Sequence, residues 1–424
     1  MALKATEVFV PGAFPRHTYV ERSAESIEQA LKDALDTPGQ IISLAGPSKS
    51  GKTVLVEKVV GLDRLISISG ASLKSEADIW ARVLDWMDLP NSTSRSRRQL
   101  DTTTGKASGT LGGGVLGFAK AEGTMALEGA RAREESSQEV YNRGGLEQVV
   151  QEIAESDFVI LVDDFHYMDR DLQVSAAKSL KEAVRRGLKI VTASVPHRND
   201  DVVRANPELR GRVKAVDLGY WVSSDLQKIA TTGFDLLNVV IPSAAIEQFV
   251  SESAGSPQLM QMLCLQACFV LNTREKTLLR TNPKVDGDIL KNIFQQASAN
   301  TNYLSMVDVL DSGPRTRGVE RKTYKCTNGG SGDVYNVVLR AVAMDPPKLS
   351  FSYDELLKRT EQVCIGESPV GSSVTGTCHH MAKLAQEKFV SERAIEWDEQ
   401  KQVLDIPDPY LLFYLRWSDR LTRN

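Results

Sequence analysis

One eight-residue segment has the composition and spacing of a loop that binds phosphate. Residues 46–53, GPSKSGKT, match the pattern G-x-x-x-x-G-K-[ST] and lie between an apolar run and a helical pattern. The two glycines permit backbone angles and a close approach that a Cβ atom would block, so that successive N–H groups can surround a β-phosphate. The lysine then reaches the β- and γ-phosphates, and the threonine hydroxyl is a ligand for Mg²⁺.

The sequence therefore predicts a site for ATP and Mg²⁺. The residues predicted to bind the cofactor are Gly46, Pro47, Ser48, Lys49, Ser50, Gly51, Lys52, Thr53 and Val54. Lys52 is also predicted to act on the reacting phosphates, and Thr53 to hold the metal.

A second segment supplies carboxylates to the same predicted site. Residues 158–166, FVILVDDFH, place two aspartates after an apolar run that is typical of a buried central strand. Asp163 at the strand end would hold Mg²⁺, directly or through water. Asp164 has the position of a general base that orients the attacking water. Because aspartate is one methylene shorter than the glutamate that many such ATPases use, slow hydrolysis and a long-lived ATP state are favoured.

Alternating strands and helices predict the scaffold of this site. The pattern is typical of an α/β fold, in which helices cover both faces of a parallel sheet. Strands are predicted at 41–45, 65–68, 158–162 and 189–193, and helices at 27–35, 54–60 and 76–87. Asp163 is then delivered beside the glycine loop at the end of its strand.

Composition indicates a soluble globular protein of two or three packed units. The 424 residues include 42% hydrophobic and 25% charged residues, and 51 Lys and Arg against 55 Asp and Glu give a net charge of −4. No global basic field attracts nucleic acid or an anionic membrane. Five scattered cysteines argue against a disulfide framework, and no apolar stretch is long enough to span a bilayer. We expect a cytoplasmic protein without a membrane partner.

Residues 91–141 interrupt the scaffold. The segment contains a basic run, SRSRR, and a glycine-rich run, GTLGGGVLG, followed by polar and apolar residues that largely alternate over 119–128. Period two between glycines favours a β-hairpin or a mobile surface insertion over a strand of the core sheet. An oligomerisation or partner-binding role stays open.

The two motifs, with TYVER at residues 18–22, resemble the initiator-type (origin-recognition-like) branch of the AAA+ ATPases and the related STAND signalling ATPases. The resemblance implies a P-loop NTPase parallel sheet with a helical lid, followed by a small α+β winged-helix domain. It leaves the glycine-rich insertion unexplained. In that family the residues before the first helix help to enclose adenine, which nominates Tyr19, Val20 and Arg22.

The resemblance also nominates residues that act on the γ-phosphate. Residues 189–200 are similar to the family's sensor strand, in which Thr192 or Ser194 would supply the polar group; a buried hydroxyl that bonds to the backbone is the alternative. Residues 206–213, NPELRGRV, are similar to the segment that carries an arginine finger, with Arg212 preferred over Arg210. In this family the finger acts on ATP bound by the neighbouring subunit, which implies a homo-oligomer.

Residues 253–261, SAGSPQLMQ, are similar to the lid helix that closes over the nucleotide. STAND members carry a G-x-P motif there, which Gly255-Ser256-Pro257 matches, so Pro257 is predicted to contact the nucleotide. Many AAA+ relatives place an arginine near this point where this chain has Gln258, which leaves γ-phosphate sensing by the lid in question.

The last hundred residues are predicted to form three helices and a hairpin, the elements of a winged helix-turn-helix. The exposed face of the third helix offers only four basic or imidazole side chains, His379, His380, Lys383 and Lys388, a thin surface for phosphate neutralisation. The expected division is a P-loop ATPase domain at 1–222 with the insertion at 91–141, a helical lid at 223–300, a linker at 301–332 and a winged-helix-like domain at 333–424.

Three functions fit these features. The first is an ATP-driven switch that oligomerises and recruits an effector or partner protein, for example in bacterial defence against mobile DNA. The second is a DNA-bound initiator or loader whose winged helix reads duplex. The third is a small-molecule P-loop kinase, against which the paired aspartates, the lid-like region and the lack of an evident acceptor pocket weigh.

Overall fold

The computed structural model describes most of the chain. The described residues are 2–22, 26–89, 92–97, 139–195, 211–315, 318, 320–327, 329–389 and 394–422. Among them, no helix is both long and apolar enough to cross a membrane.

The first domain is built on a five-stranded parallel sheet. Up to residue 217, the helices and strands of the described residues are α1 (Ala5–Val8), α2 (Ile27–Leu35), β1 (Ile41–Ala45), α3 (Lys52–Val60), β2 (Leu65–Ser69), α4 (Ala77–Trp86), β3 (Ser92–Arg97), β4 (Glu139–Gly144), α5 (Leu146–Ile153), β5 (Val159–Asp163), α6 (Arg170–Arg185), β6 (Lys189–Ser194) and β7 (Val213–Asp217). The sheet order is β2-β5-β6-β1-β7, with every pair parallel. The predicted α/β fold with a P-loop NTPase sheet is confirmed.

Side chains of the sheet alternate between two apolar layers. Ile41 lies in the layer formed with α4, α5 and α6, whereas Ile42 and Leu44 lie in the layer formed with α2 and α3. All five residues of β1 are buried, as expected for a central strand covered on both faces. This burial fixes the position at which the chain leaves β1 for the glycine loop.

The ends of the insertion pair with each other outside the core sheet. β3 and β4 form a separate antiparallel ladder that runs from Ser92 opposite Gly144 to Arg97 opposite Glu139. The alternating pattern at 119–128 lies outside the described residues. The insertion therefore leaves and re-enters the domain through one two-stranded stem.

The lid consists of four helices, α7 (Ser223–Leu236), α8 (Ser243–Glu252), α9 (Pro257–Val270) and α10 (Gly287–Ala299). Its core also contains Ala5, Val8 and Phe9 from the N-terminal segment, which the sequence assigned to the P-loop domain. The ring of Phe9 lies so close to Gly233 that a Cβ there would clash with it. By packing, the first residues contact the lid, and they include the short helix α1.

The segment expected as a linker is partly structured. It contains α11 (Leu304–Ser312) and the short strands β8 (Tyr324–Lys325) and β9 (Ser331–Gly332). Met306, Val307 and Leu310 are buried in the C-terminal core. These apolar residues recur at helical spacing, so α11 is part of the C-terminal unit.

The C-terminal unit contains α12 (Val334–Val342), β10 (Ser350–Ser352), α13 (Tyr353–Val363), α14 (Gly371–Lys388), β11 (Glu396–Asp398), β12 (Val403–Asp405) and α15 (Pro409–Trp417). Its antiparallel sheet has the order β10-β12-β11. The expected three helices and hairpin are present, with β10 as an additional strand.

Helix α15 is shared by two cores. Tyr410 and Phe413 lie in the lid cluster, whereas Leu411, Leu412 and Leu415 lie in the C-terminal cluster. Arg416 forms a bidentate ion pair with Glu252 of the lid, with N···O distances of 2.7 and 2.9 Å, and its Nη1 donates to the carbonyl of Ala343, at 2.7 Å. The lid and the C-terminal unit are therefore joined through one helix.

Candidate nucleotide-binding site

The glycine loop connects β1 to α3 in the tight turn that its sequence predicted. Gly51 has φ +90°, in the left-handed region that favours glycine. At Gly46 a Cβ would lie 2.9 Å from Leu218 Cβ and 3.0 Å from Ser50 Oγ. Lys49 also adopts a positive φ, of 61°. Both glycines are therefore required by the backbone, one for its angles and one for the space around it.

Lys52 lies over the loop at the start of α3. Its Nζ donates to the carbonyls of Gly46 and Pro47, each at 2.9 Å. Burial lowers the pKa of Lys52, while the carboxylates of Asp163 and Asp164 act in the opposite direction. A buried ammonium held by two neutral carbonyls is well placed to exchange them for phosphate oxygens.

The structure brings the predicted metal ligands together. Asp163 ends β5, and its Oδ2 accepts a hydrogen bond of 2.6 Å from Thr53 Oγ1. The other oxygen of the carboxylate, Oδ1, accepts from the backbone N–H of Asp164, at 2.9 Å. A threonine hydroxyl and a carboxylate at this separation are the oxygen ligands that Mg²⁺ uses in P-loop sites.

Asp164 follows in a left-handed conformation, with φ +57°. Burial and the neighbouring Asp163 carboxylate raise the pKa of Asp164, and Lys52 opposes this effect. The Glu57 carboxyl has a pKa raised by burial and by Asp163. The sequence did not single out Glu57, because its position within α3 carries no motif.

Gly70 is a second residue that the sequence did not single out. A Cβ on Gly70 would lie 2.7 Å from the carbonyl oxygen of Asp164 and 3.1 Å from that of Asp163. Only a glycine lets the chain after β2 approach the two aspartates so closely. Its signal in the sequence is its position directly after the strand that neighbours β5.

A cavity of about 780 Å³ adjoins the loop, large enough for a nucleotide. Two observations test whether a polyphosphate fits the residues present. Ser50 Oγ is buried and has no hydrogen-bond partner in the described part of the chain. Among the described residues, the N–H groups of Gly51, Lys52 and Thr53 donate to no backbone carbonyl. These unpaired N–H and O–H donors beside a lysine form a site whose hydrogen bonds an anion can satisfy.

The N-terminal segment forms another wall of this cavity. Tyr19 stacks on Phe14, with ring centroids 5.8 Å apart and planes 16° apart, and its hydroxyl donates to Glu28 at 2.8 Å. Burial and this carboxylate raise the pKa of Tyr19. Val20 also lines the cavity. Arg22, the third residue nominated for adenine, lines the cavity too, and its guanidinium donates to the carbonyls of Leu218 and Tyr220 after β7.

The lid reaches the same cavity through α9. Pro257 occupies the first turn of this helix, and a Cβ on Gly51 would lie 3.9 Å from its Cγ. Gln261, one turn further along, is buried and accepts hydrogen bonds from Val10 N–H at 3.1 Å and Thr18 Oγ1 at 3.2 Å. The lid helix and the N-terminal segment are thereby tied into one wall. The adjacent Gln258 also lines the cavity.

The remaining nominated residues come from β6 and from the segment before β7. Thr192 is buried, and its hydroxyl is 3.4 Å from the carbonyl oxygen of Ile42, the backbone contact that the alternative interpretation described. Ser194 is buried at the end of β6, where its carbonyl accepts from Gly46 N–H at 3.2 Å. Arg212 is exposed and directly precedes β7, so it lies at the end of the strands opposite to the glycine loop. Arg210 lies outside the described residues.

One wall of the cavity comes from the C-terminal unit, which the sequence did not indicate. Lys49 of the glycine loop pairs with Asp408, with 3.6 Å between Nζ and Oδ2, and Nζ lies 4.7 Å from the centre of the Tyr410 ring. Asp408 also caps α15 by accepting from Tyr410 N–H. A local periodic pattern cannot predict a contact between residues about 360 positions apart.

Comparison with known proteins gives structural similarity only. No protein-family model and no curated protein matches the chain. Similar solved structures include the Walker-type ATPase PABY2304 of Pyrococcus abyssi, with 14% identity, 97% of this chain and 98% of that chain covered and a TM-score of 0.49. ORC2 of Aeropyrum pernix, determined as ADPNP–ADP complexes, has 11% identity, 99% and 98% coverage and a TM-score of 0.49. Cdc6p of Pyrobaculum aerophilum has 14% identity, 100% and 99% coverage and a TM-score of 0.41.

Two of these proteins, ORC2 and Cdc6p, carry the names of the initiator branch that the sequence motifs resemble. At identities of 11–14% and TM-scores below 0.5, the similarity assigns no residue of the site. The contacts of the glycine loop, Lys52, Thr53 and the two aspartates therefore carry the functional argument.

Proposed function

We propose that the chain binds ATP with Mg²⁺ and hydrolyses it slowly, as a conformational switch of the AAA+ and STAND kind. The observation that carries the proposal is the 2.6 Å contact between Thr53 Oγ1 and Asp163 Oδ2 beneath the glycine loop. These two oxygens would hold Mg²⁺, which neutralises charge on the β- and γ-phosphates when bound. Lys52 would bind the same phosphates from the other side.

Asp164 is the general base of this proposal. Its carboxyl is partly buried, and its raised pKa favours uptake of a proton from the attacking water. The side chain is short and the φ of Asp164 itself lies in the left-handed region, so its reach toward a γ-phosphate is limited. Slow turnover is the expected result, and a long-lived ATP state suits a switch better than a motor.

Assembly would complete the site in trans. Arg212 lies at the amino end of β7, about 15 Å from the loop edge at 3.3 Å per residue, and it is exposed. A residue there cannot act on the nucleotide of its own subunit but can face that of a neighbour. An arginine supplied by a neighbour couples hydrolysis to oligomerisation.

The mass of the assembly with and without ATP tests the switch. We expect larger particles with ATP in the wild-type chain, and more persistent ones in Asp164→Ala, which should bind but not hydrolyse. Lys52→Ala should form no larger particles, because it loses the charge-assisted contact to phosphate. Masses that ignore nucleotide in all three chains would overturn the switch. Phosphate release should be to water, and transfer to nucleosides would favour the kinase alternative.

The C-terminal unit supports recruitment of a partner protein more than binding of DNA. The order helix, strand, helix, helix and two strands fits a winged helix. On the exposed face of α14, however, His379 pairs with Glu399 at 2.7 Å, and the nearest charged atoms of Lys383 and Glu387 are 3.9 Å apart. His380 contacts Tyr335. Three of the four side chains are thus engaged with neighbours, which leaves mainly Lys388 to contact phosphates.

The DNA-binding initiator is the second candidate, favoured by the same element order. Binding to duplex DNA measured against salt concentration separates the two functions. A steep loss of affinity with rising salt would indicate phosphate contacts and favour the initiator. We expect no measurable salt-dependent binding by the wild-type chain.

A further inference from the structure

Two side chains from outside the glycine loop bind its carbonyl groups. Trp221 Nε1 donates to the carbonyl of Ser50 at 2.9 Å, and Ser256 Oγ donates to that of Lys49 at 3.2 Å. Trp221 lies between the sheet and the lid, and Ser256 is the N-cap of the lid helix α9. Neither contact has a role in the glycine-loop motif itself.

Planarity of the peptide group gives these contacts a consequence. In a trans peptide the carbonyl of one residue and the N–H of the next point in opposite directions. A donor that holds the Ser50 carbonyl therefore fixes the direction of the Gly51 N–H, which faces away from the indole. That N–H donates to no backbone carbonyl in the described part of the chain. It is one of the donors that the loop can offer to a β-phosphate.

The two donors are connected to each other. The backbone N–H of Trp221 donates to the carbonyl of Gly255, the residue before Ser256, at 3.3 Å. Gly255 has φ +82°, and a Cβ there would lie 3.2 Å from the Tyr220 ring. The guanidinium of Arg22 lies 5.5 Å from the centre of the Trp221 ring. The backbone of Trp221 is therefore tied to the lid, while its indole contacts the glycine loop and Arg22.

We propose that Trp221 and Ser256 are positioning residues that set the orientation of the glycine-loop amides for the β-phosphate of nucleoside di- and triphosphates. This inference rests on the proposed nucleotide-binding function and names residues that the motif does not contain. Because both donors move with the lid or its connection, withdrawal of the lid releases the two carbonyls. The loop peptides are then free to rotate, and the affinity for the β-phosphate falls.

Affinities for ADP and AMP, measured on the full chain by competition with a fluorescent ADP derivative, test the proposal. Trp221→Phe keeps an aromatic ring but loses the indole donor. We expect ADP to bind about five- to tenfold more weakly, the effect of one lost hydrogen bond. AMP lacks the β-phosphate, so its affinity should change by less than about twofold. The ratio of ADP affinity to AMP affinity therefore falls, which damage to the adenine wall would not produce.

Trp86→Phe is the matched control, because Trp86 is an exposed tryptophan of α4 that packs edge-on against Phe158. Ser256→Ala is a second variant, which should also lower the ratio, and Ser256→Thr should restore it by returning the hydroxyl. Thermal unfolding of each variant shows whether it is folded.

The outcomes separate this inference from the function on which it rests. A wild-type chain that binds neither ADP nor ATP overturns both. A wild-type chain that binds ADP, with Trp221→Phe and Ser256→Ala keeping the wild-type ratio of ADP to AMP affinity, overturns the positioning role alone.

Discussion

Asp164 is a carboxyl group that the folded chain makes hard to ionise. Its partial burial and the adjacent Asp163 carboxylate raise its pKa above the ordinary value of 3.8, and the nearby Lys52 compensates only in part. Keeping a carboxyl group in such surroundings lowers the free energy of unfolding. This cost is common for groups that take part in catalysis. The φ of +57° at the same residue adds backbone strain, which Asn tolerates better than most residues.

Asp164→Asn should therefore be more stable than the wild type, and the gain should depend on pH. Below about 3.8 the carboxyl is protonated in both folded and unfolded chains and contributes nothing. As the pH rises through the raised pKa of the folded chain, the wild type loses stability that the variant keeps. We expect the midpoint of thermal unfolding to rise by about 1–2 °C near pH 8 and by less near pH 4.5. An equal gain at both pH values would trace the effect to the backbone instead.

At the scale of elements, the structure separates what local pattern could predict from what it could not. The strands β1, β5 and β6 and the glycine loop followed from apolar runs and spacing, because their burial and turn geometry are local properties. The contact of Trp221 with Ser50 and that of Lys49 with Asp408 depend on packing between distant elements, which no period encodes. Helix α11 was missed for another reason, since a nine-residue helix with three buried side chains gives only a short periodic pattern.

The stem formed by β3 and β4 allows the insertion to be tested directly. Because Arg97 and Glu139 are directly opposite in the ladder, residues 98–138 can be replaced by Asn-Gly, a two-residue hairpin turn. The shortened chain should keep its ATP affinity within about twofold, since the stem lies outside the sheet that holds the site. Isothermal titration measures this, and a chain carrying a flexible Gly-Ser segment of the original length is the control. Loss of ATP binding in the shortened chain alone would show that the insertion contributes to the site.

At the scale of the whole molecule, the C-terminal unit closes one side of the nucleotide cavity. The side chains of Lys49 and Asp408 are 31% and 18% exposed, so their ion pair is only partly screened by water. Asp408 brings a negative charge into the cavity proposed for polyphosphate. Its carboxylate also pairs with Lys49, a cation of the glycine loop. The contact of this unit with the glycine loop therefore opposes tight binding of ATP.

Asp408→Asn should bind ATP about three- to fivefold more tightly than the wild type, because the charge is removed. The amide oxygen can still cap α15. Asp286→Asn is the matched control, since Asp286 caps α10 and pairs with Lys284 at 2.8 Å. In a chain that already carries Lys49→Met, Asp408→Asn should have a smaller effect. Equal ATP affinities for Asp408→Asn and wild type would show that the pair does not oppose the nucleotide.

Helix α15 sets an order of events during biosynthesis. Phe413 and Trp417 lie against Phe294, with ring centroids 6.1 and 4.6 Å apart, so the lid interior is incomplete until these late residues leave the ribosome. A nascent chain that ends before residue 409 exposes apolar surface of both the lid and the C-terminal unit. Such a chain is a candidate for chaperone capture, and the lid over the phosphate loop cannot complete its packing until α15 has been synthesised.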